Sequence, residues 1–464
     1  MFGSPRSLLV ALLAFALALP SIVGCGTLAH AQETPPERPN VVFILADDLD
    51  KRLLTSHLSD YPNISRLAAN GTTFSGAFVT NALCCPSRAT MLTGQYSHNH
   101  GVMTNDPPEG GAPAFRPLEP KALPVWLDDA GYATGYVGKY LNNYDGTYEP
   151  PGWDEWKAIT DGDPVELEPG QGTDLFSDQA DAFVRRHAGA GAVPFYLQVG
   201  TLAPHKPAVP YARHTDLFPG EKTPQPRSFN EADVSDKPGY VSKLKPLTRD
   251  EIISFNELYR NRLRSMVAVD EMVGSLVATL RETGELSSTY VVFTSDNGVH
   301  AGQHRLREGK RLAYEEDIRV PLIVRGPGIP AGVTRSQMVL NNDLAPTFAE
   351  WAQANPLLPV DGRSLVPMLK PSPPSDSAWR TALLAEGAPH ERIGRPAYRA
   401  VRTKNYLYVS YANGEKELYN LNRDPHQLRS YYPEADEALK DRLRGRLSSL
   451  ASCAGAGCRS AEGQ

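Results

Sequence analysis

Two pairs of oxygen-bearing side chains end apolar stretches of the sequence. Asp47 and Asp48 form one pair, and Asp296 and Asn297 form the other. Adjacent carboxylates repel each other unless a cation or a proton lies between them. A solvated loop or a helix cap would explain either pair alone. Together, however, three carboxylates and an amide make the all-oxygen donor set that Ca²⁺ and Mg²⁺ prefer. We therefore predict a divalent metal site.

The segment 84–88, CCPSR, combines a thiol, a proline and an arginine one helical turn apart. Pro86 suits the first turn of a helix. Cys84 would then lie at the helix start, where free N–H groups and the helix dipole favour anions. Arg88 returns to the same face and adds charged hydrogen bonds suited to an oxyanion. The alternative is a buried thiol before a helix that carries a surface arginine.

Three basic residues follow other apolar stretches, namely Lys139, His205 and Lys310. Any one of them alone is more often a surface residue than a catalytic one. A cation and several basic side chains beside the acidic pairs would nevertheless suit a tetrahedral dianion or monoester.

These side chains need a scaffold that brings them together. Apolar runs predict five strands, over residues 41–46, 132–137, 195–199, 290–294 and 320–324. A helical pattern lies between the third and the fourth run, with apolar residues from Tyr259 to Leu280 on one face. Alternating strands and helices predict an α/β fold with a large, mostly parallel sheet sandwiched by helices. Ligands of such sheets bind at the carboxyl ends of the strands, which is where four of the runs place ionisable residues.

Composition and the positions of proline- and serine-rich stretches predict how the chain divides into domains. The 464 residues are 41% hydrophobic and 22% charged, which excludes a disordered chain, and the net charge of −6 gives no sign of a nucleic-acid partner. We predict a catalytic domain over residues 38–372, ended by the proline- and serine-rich stretch 371–375. Residues 376–464 are predicted to form a smaller α+β subdomain with an antiparallel sheet and a helix near 434–450.

Residues 1–31 resemble an export signal. Arg6 precedes an apolar run from Leu8 to Leu19 that is too short for a stable membrane span. Two interpretations remain open, namely cleavage after the A-x-A sequence at 29–31 and a bacterial lipoprotein signal in which Cys25 is acylated. We therefore predict an exported protein, either secreted or anchored by a lipid at the outer face of a bacterial cell membrane.

The remaining cysteines have different predicted roles. Cys453 and Cys458 flank a short flexible loop, which favours a disulfide in an oxidising compartment. Cys84 and Cys85 are adjacent and therefore rarely able to bridge each other.

Taken together, the motifs resemble the sulfatase family. The segment 84–94, CCPSRATMLTG, is similar to the first signature of that family, and GY and GK within 131–139 are similar to the second. SDNG at 295–298, with GQH at 302–304, is similar to the family's second metal and sulfate-binding region. The chain further resembles N-acetylglucosamine-6-sulfatase-like members, on HNHGV at 98–102, IRVPLIVRGPG at 318–328 and ELYNL at 417–421. This resemblance implies an alkaline phosphatase-like fold and the hydrolysis of sulfuric esters.

The resemblance also implies how the site is assembled. A formylglycine-generating enzyme would oxidise Cys84 to formylglycine, whose hydrate is the nucleophile, while Cys85 stays unmodified. One Ca²⁺ would be bound by Asp47, Asp48, Asp296 and Asn297 together with the residue derived from Cys84.

The basic residues would then act on the ester. Arg88 would stabilise the nucleophile, Lys139, His205 and Lys310 would neutralise sulfate oxygens, and His304 would lie near the leaving group. Many relatives carry a histidine two residues after the lysine of the GK motif, where this chain has Leu141. The identity of the general acid is therefore left open, with Asn142 and Asn143 as substitutes.

The implied substrate is a sulfated sugar similar to N-acetylglucosamine-6-sulfate. The alternatives are an aryl sulfate, a phosphate or phosphonate monoester cleaved on the same scaffold, and a non-catalytic polysaccharide-binding protein that keeps the fold and leaves Cys84 as a thiol.

Overall fold

The structure is a computed structural model that describes residues 1–3, 38–189 and 191–463. The predicted export signal, with Cys25, therefore lies outside the described residues apart from its first three. Within the described ranges, no helix combines the length and the apolar character that crossing a membrane would require.

Strands alternate with helices along most of the chain. In chain order the strands are β1 (Asn40–Ala46), β2 (Thr72–Phe74), β3 (Ala77–Phe78), β4 (Ala133–Lys139), β5 (Glu155–Ile159), β6 (Phe195–Gly200), β7 (Thr289–Ser295), β8 (Leu322–Arg325), β9 (Val333–Arg335), β10 (Val339–Leu340), β11 (Ala382–Gly387), β12 (Tyr398–Thr403), β13 (Tyr406–Tyr411) and β14 (Lys416–Asn420). The α-helices are α1 (Lys51–Ser56), α2 (Pro62–Ala69), α3 (Cys84–Thr93), α4 (Ser97–His100), α5 (Gly111–Phe115), α6 (Leu123–Asp129), α7 (Thr173–His187), α8 (Gly239–Ser242), α9 (Arg249–Glu282), α10 (Glu315–Ile318), α11 (Leu344–Ala352), α12 (Asp376–Trp379), α13 (Glu437–Ala451) and α14 (Ala456–Glu462).

The main sheet has eight strands in the order β5-β4-β6-β1-β7-β8-β2-β9. Strand β1 lies near its centre and pairs in parallel with β6 and β7. Strand β8 pairs antiparallel with β7, so the sheet is mostly, but not wholly, parallel. The predicted fold class is thus confirmed, and only the fifth predicted strand runs against the direction of its neighbour.

Both faces of this sheet are covered, because successive side chains of a strand point to opposite faces. Val42 and Ile44 of β1 pack into a cluster with Leu263 and Met266 of α9. Val41 and Phe43 belong to a second cluster that includes residues of α6 and α11. Full burial on both sides explains why these strands read as continuous apolar runs.

The strand register places the predicted site residues at one edge. Ala46 is opposite Ser295, so the acidic pairs that follow β1 and β7 emerge side by side. Strand β4 ends at Lys139 and pairs in parallel with β6, which precedes His205. The convergence expected from the sequence is therefore present in the fold.

The C-terminal part forms a separate antiparallel sheet in the order β11-β12-β13-β14, with α13 packed on it. The sequence predicted β12 to β14 and α13, but not β11 or α14. Residues 38–463 nevertheless fall in one compact unit. The boundary at residues 372–376 therefore remains a prediction.

The predicted disulfide between Cys453 and Cys458 is present, and Cys84 and Cys85 are free and buried.

Buried ion pairs tie the two sheets together. The Arg380 guanidinium lies 2.7 Å from the Asp343 carboxylate and 2.9 Å from that of Glu462, and all three side chains are fully buried. Asp343 precedes α11 under the main sheet, whereas Glu462 lies in the terminal helix α14. Removing one partner of such a pair leaves a buried charge without compensation.

We expect Arg380→Met to lower the free energy of unfolding by about 3–5 kcal/mol, because Asp343 and Glu462 would remain buried without a counter-charge. Denaturant titration would measure the change. The matched control is Arg429→Met, since Arg429 and its partner Glu434 are both exposed, and we expect it to cost about 0.5 kcal/mol or less. Equal effects of the two substitutions would contradict this account.

Candidate active site

Opposite charges meet at the carboxyl ends of β1, β4 and β7. Lys139 forms an ion pair with Asp47, and Lys310 forms one with Asp48. His205 Nε2 lies 3.6 Å from Asp48 Oδ2. Because these carboxylates are almost completely buried, each needs a nearby cation to stay ionised.

Cys84 lies in the middle of this charge cluster. Its Sγ is 2.7 Å from Lys310 Nζ and 3.4 Å from Asp47 Oδ1. Helix α3 begins at Cys84 itself, after Leu83 in an extended conformation. The N–H of Cys85, in the first turn of the helix, donates to Asn105 Oδ1 at 3.0 Å. The thiol is thus held at a helix start, as the sequence predicted.

Arg88 returns to the same cluster one turn later. Its Nε donates to Asp296 Oδ2 at 2.8 Å, and its Nη1 donates to the Lys139 carbonyl at 2.6 Å. Its Nη2 is buried and has no hydrogen-bond partner among the described residues. The guanidinium therefore keeps one donor available inside the site.

The turn after β1 has a strained backbone. Asp48 has a φ of +64°, in the left-handed region that side chains with a Cβ avoid. Its N–H donates to Asp296 Oδ1 at 3.1 Å, and its carbonyl accepts from Arg262 of α9. These bonds fix the direction of the Asp48 carboxylate.

Burial and charge oppose each other in the pKa values of the site. Burial raises the pKa of Asp47, but Lys139, His205 and Lys310 outweigh it and hold this pKa well below its ordinary value. Burial and the Asp47 charge raise the pKa of Asp296 despite Arg88. Burial, with Asp47, raises the pKa of the Cys84 thiol to about 12.

A group of side chains beside Cys84 could hold a metal ion, but it differs from the predicted ligand set. It includes His205, whereas Asp296 accepts hydrogen bonds from Arg88 and from the Asp48 N–H. Asp47, Asp48, Cys84 and His205 each present a ligand atom, and these atoms lie within 4.8 Å of one another. Asn297 donates from Nδ2 to Asp48 Oδ1 at 2.6 Å, while its Oδ1 is buried and has no hydrogen-bond partner within the described ranges. A buried amide oxygen without a partner is expected where a cation is to be bound.

A cavity of about 620 Å³ opens above these residues. Asp48, His205 and Lys310 line its floor, and its walls include Asn105, Tyr240, His300, Arg311, His390 and Arg392. Leu244, Phe255, Leu306 and Ile393 also line the cavity, so it combines apolar surface with basic side chains that suit a negatively charged group.

His304 is not brought to this cavity, which corrects the expectation that it lies near a leaving group. Its ring is fully buried, its Nδ1 is 2.6 Å from Glu231 Oε2, and it packs on Tyr314 at 4.4 Å between centroids. His304 and Arg305 both have positive φ values, so the chain turns back into the protein at this point. Leu141 is also buried, and neither Asn142 nor Asn143 lines the cavity.

His300 lies where His304 was expected. It lines the cavity, and its Nδ1 is 2.7 Å from Asp317 Oδ1. Its backbone pairs with Gly309, the residue before Lys310. The sequence contains both histidines four residues apart, but only the antiparallel pairing of His300 with Gly309 shows which one faces the site. Arg262 was also missed, because it belongs to the otherwise apolar pattern of α9.

Comparisons with known proteins identify the family of this chain. The sulfatase family model matches residues 39–354, and a model described as "N-sulphoglucosamine sulphohydrolase, C-terminal" matches residues 302–452. The chain belongs to the sulfatase family. The predictions of a sulfatase and of a sulfuric ester hydrolase are therefore confirmed.

Individual sulfatases are similar over most of this chain. The human N-acetylglucosamine-6-sulfatase is 33% identical over 520 residues, which cover 98% of this chain and 92% of that protein. A Sulf-1 homologue of Caenorhabditis elegans, named as an extracellular sulfatase, is 37% identical over 390 residues. That alignment covers 79% of this chain but 55% of the nematode protein.

A solved structure with a sulfated substrate has a similar fold. It is the structure of BT4656 with its substrate D-glucosamine-2-N,6-O-disulfate, with a TM-score of 0.74 and 25% sequence identity. The match covers 91% of this chain and 98% of the other.

We expect Arg262→Met to reduce both stability and sulfatase turnover, because the buried Asp48 carbonyl would lose its donor and the strained turn would relax. An unsatisfied buried acceptor costs about 1–3 kcal/mol, which denaturant titration can measure. The control is Arg281→Met, an exposed position in the same helix, for which we expect a change within about 0.5 kcal/mol. Unchanged turnover in Arg262→Met would show that the Asp48 turn does not need this support.

Proposed function

We propose that this sulfatase hydrolyses the sulfate ester of a sulfated sugar similar to N-acetylglucosamine-6-sulfate, using formylglycine derived from Cys84 and one bound Ca²⁺. The observation that carries the proposal is the position of Cys84. Its Sγ lies at a helix start, within 2.7 Å of Lys310 Nζ and beside Asp47. As a thiol in this buried place it is a poor nucleophile, because burial raises its pKa to about 12.

Conversion of Cys84 to an aldehyde would give this position a suitable nucleophile. A formylglycine-generating enzyme would supply the oxidation, and water would hydrate the aldehyde. One hydroxyl oxygen then bonds to sulfur as the bond from sulfur to the sugar oxygen breaks, and the alcohol leaves with a proton. The second hydroxyl loses its proton, the carbonyl re-forms and sulfate is expelled, so that one difficult step becomes two easier ones.

The surrounding residues have separate tasks in this reaction. Lys139 and Lys310 neutralise sulfate oxygens, and the free Nη2 of Arg88 stabilises the ionised nucleophile. His205 acts on the sulfate oxygens with the two lysines, because it lines the cavity beside Asp48 and is partly exposed.

Asp47, Asp48, Asp296 and Asn297, together with the residue derived from Cys84, would bind the Ca²⁺. When bound, a hard divalent cation polarises the sulfate ester and stabilises negative charge as it develops. The support for this part is the convergence of the buried Asp47 and Asp48 carboxylates with Cys84, and the unpartnered Oδ1 of Asn297.

The sugar part of the proposal rests on the relatives and on the cavity. The human relative is named as an N-acetylglucosamine-6-sulfatase, and the solved structure carries a glucosamine disulfate. The basic side chains that line the cavity beside Lys310 are consistent with such a substrate. Comparing turnover of matched sulfate and phosphate aryl esters would test the alternative, since a dominant phosphatase rate would favour a phosphate or phosphonate monoester hydrolase.

We also propose that the protein is exported. The nematode relative is named as extracellular, and the disulfide between Cys453 and Cys458 suits an oxidising compartment. Whether Cys25 anchors the protein in a membrane would be read from the mass of the mature amino terminus.

We expect Cys84→Ala to reduce turnover by about 10³-fold or more, because it removes the nucleophile. Circular dichroism and thermal unfolding should remain near those of the wild type, since only one sulfur atom is lost. Cys85→Ala is the matched control, because Cys85 is also buried but packs in an apolar cluster with Ala89 and Leu92. Peptide mass spectrometry should find an aldehyde at Cys84 and a thiol at Cys85, and similar activity losses in the two variants would contradict the proposal.

We expect Ca²⁺ to stabilise the wild type against unfolding, by about 2.7 kcal/mol when its concentration is 100 times its dissociation constant. Asp47→Asn should lose this response, because one ligand charge is removed. Asp216→Asn is the control, since it removes the same charge at an exposed position that belongs to neither acidic pair. If a chelator changes neither turnover nor stability, the metal assignment is wrong.

A further inference from the structure

One arginine in the cavity wall has no task in the chemistry described above. Arg311 directly follows Lys310, is partly buried, and lines the same cavity. Its backbone has a φ of +83° and is held by a hydrogen bond from its N–H to the Ala82 carbonyl at 2.9 Å. Within the described ranges, no residue accepts a hydrogen bond from its guanidinium or forms an ion pair with it. Removing such a group from water without a partner costs free energy, so its position points to a ligand.

The other charges of the cavity do not compensate Arg311. Asp48 is paired with Lys310, and Glu308 is paired with Lys206 at 2.7 Å. Asp106 attracts the Arg311 charge from a distance but is exposed to solvent. The carboxylates of this region are therefore either already paired with lysines or outside the cavity.

A second segment, distant in sequence, adds the positive charge of Arg392 and the neutral imidazole of His390 to the cavity wall. His390 and Arg392 line the same cavity, and they belong to the loop between β11 and β12. This loop is fixed because Arg395 donates to the carbonyls of Ala388 and Pro396, at 2.6 and 2.7 Å. Burial and the nearby charges of Arg311 and Arg395 lower the pKa of His390 to about 4. The pocket wall at this point thus has a positive potential before any ligand arrives.

The remaining basic groups of the cavity are less suitable. Lys206 is bound to Glu308, and Arg307 is bound to Glu251 at 2.8 Å. Lys139 and Lys310 pair with Asp47 and Asp48 and are already assigned to the ester sulfate itself. Arg311 is thus the basic side chain of the wall whose donors are free and whose position is partly shielded from water.

We propose that Arg311, with His390 and Arg392 beside it, binds a second anionic group of the substrate, a sulfate or a carboxylate carried by the same sugar or by its neighbour. The proposal rests on the proposed function, because it takes the ester sulfate to be held by the groups around Cys84. A guanidinium presents a planar pair of donors that matches both sulfate and carboxylate oxygens. The site would then select polyanionic saccharides over saccharides with a single sulfate.

Steady-state kinetics with substrates that differ in one charge would test this. The probes are N-acetylglucosamine-6-sulfate, glucosamine-2-N,6-O-disulfate, and a disaccharide that joins a uronic acid to N-acetylglucosamine-6-sulfate. For Arg311→Gln we expect kcat/KM on the favoured polyanionic probe to fall by about 10-fold to 100-fold, mainly through KM, because charged hydrogen bonds are lost. On the monosulfated sugar we expect a change of less than about 2-fold, since no second anion is present.

Two comparisons make the result decisive. Arg311→Lys should restore only part of the preference, because an ammonium group lacks the paired donors. Arg429→Gln removes the same charge at an exposed, distant position and should leave all three substrates unchanged. The preferred probe identifies the second anion as a sulfate or as a carboxylate. Equal losses on all three substrates, or no loss on any, would overturn the proposal.

A separate measurement keeps this proposal distinct from the proposed function. Glucosamine-2-N-sulfate and glucuronate carry a second anion but no 6-sulfate, and each can be tested as a competitive inhibitor of aryl sulfate turnover. We expect Arg311→Gln to weaken inhibition by one of them about 10-fold. If the wild type cleaves aryl sulfates but no sulfated sugar, the proposed substrate is wrong, while the inhibition constants still decide the role of Arg311. Unchanged inhibition constants for both compounds would count against it.

Discussion

Mutual compensation of buried charges is the constraint on which this active site depends. Asp47, Asp48 and Asp296 lie almost wholly out of water, at the ends of two central strands. None could remain ionised there without the lysines and the arginine that contact them. The site is therefore a set of charged groups that depend on one another. The sheet brings them together from distant segments, since Asp48 and Asp296, which are in contact, are 248 residues apart in sequence.

Much of this arrangement can be predicted from the sequence, because the physical rules involved are local. Fully buried parallel strands are apolar throughout and end abruptly, so the positions of Asp47 and Asp296 mark an edge of the sheet. A cysteine, a proline and an arginine at the spacing of one turn likewise predict a helix start at Cys84. These features need only the neighbouring residues, and the structure contains them.

The features that were missed depend on contacts between distant segments. The support of Asp48 by Arg262 comes from a long helix whose apolar pattern gives no hint of it. His300 faces the cavity because its backbone pairs with Gly309, and His304 turns away because it and Arg305 have positive φ values. The periodicity of apolar residues in the sequence does not predict either feature. Strand β11 was missed because its residues are placed by pairing with β12 rather than by turn signals beside them.

The C-terminal sheet braces the loop that carries Lys310 and Arg311. Glu417 of β14 is buried and accepts hydrogen bonds from Tyr314 and Tyr411, at 2.7 and 2.5 Å. Arg402 of β12 binds Glu315 at 3.0 Å. The family model that spans residues 302–452 contains this loop and the C-terminal sheet together, which agrees with their behaviour as one unit.

The burial of Cys84 has a consequence for the maturation of the enzyme. Its side chain is 1% exposed, at a helix start closed over by lysine and aspartate side chains. A maturation enzyme cannot reach a sulfur atom in that position once the sheet has assembled. The proposed oxidation of Cys84 would therefore have to take place before the chain folds. The active fraction of a preparation would then depend on whether Cys84 is oxidised before the chain folds. Slower folding would give a larger active fraction.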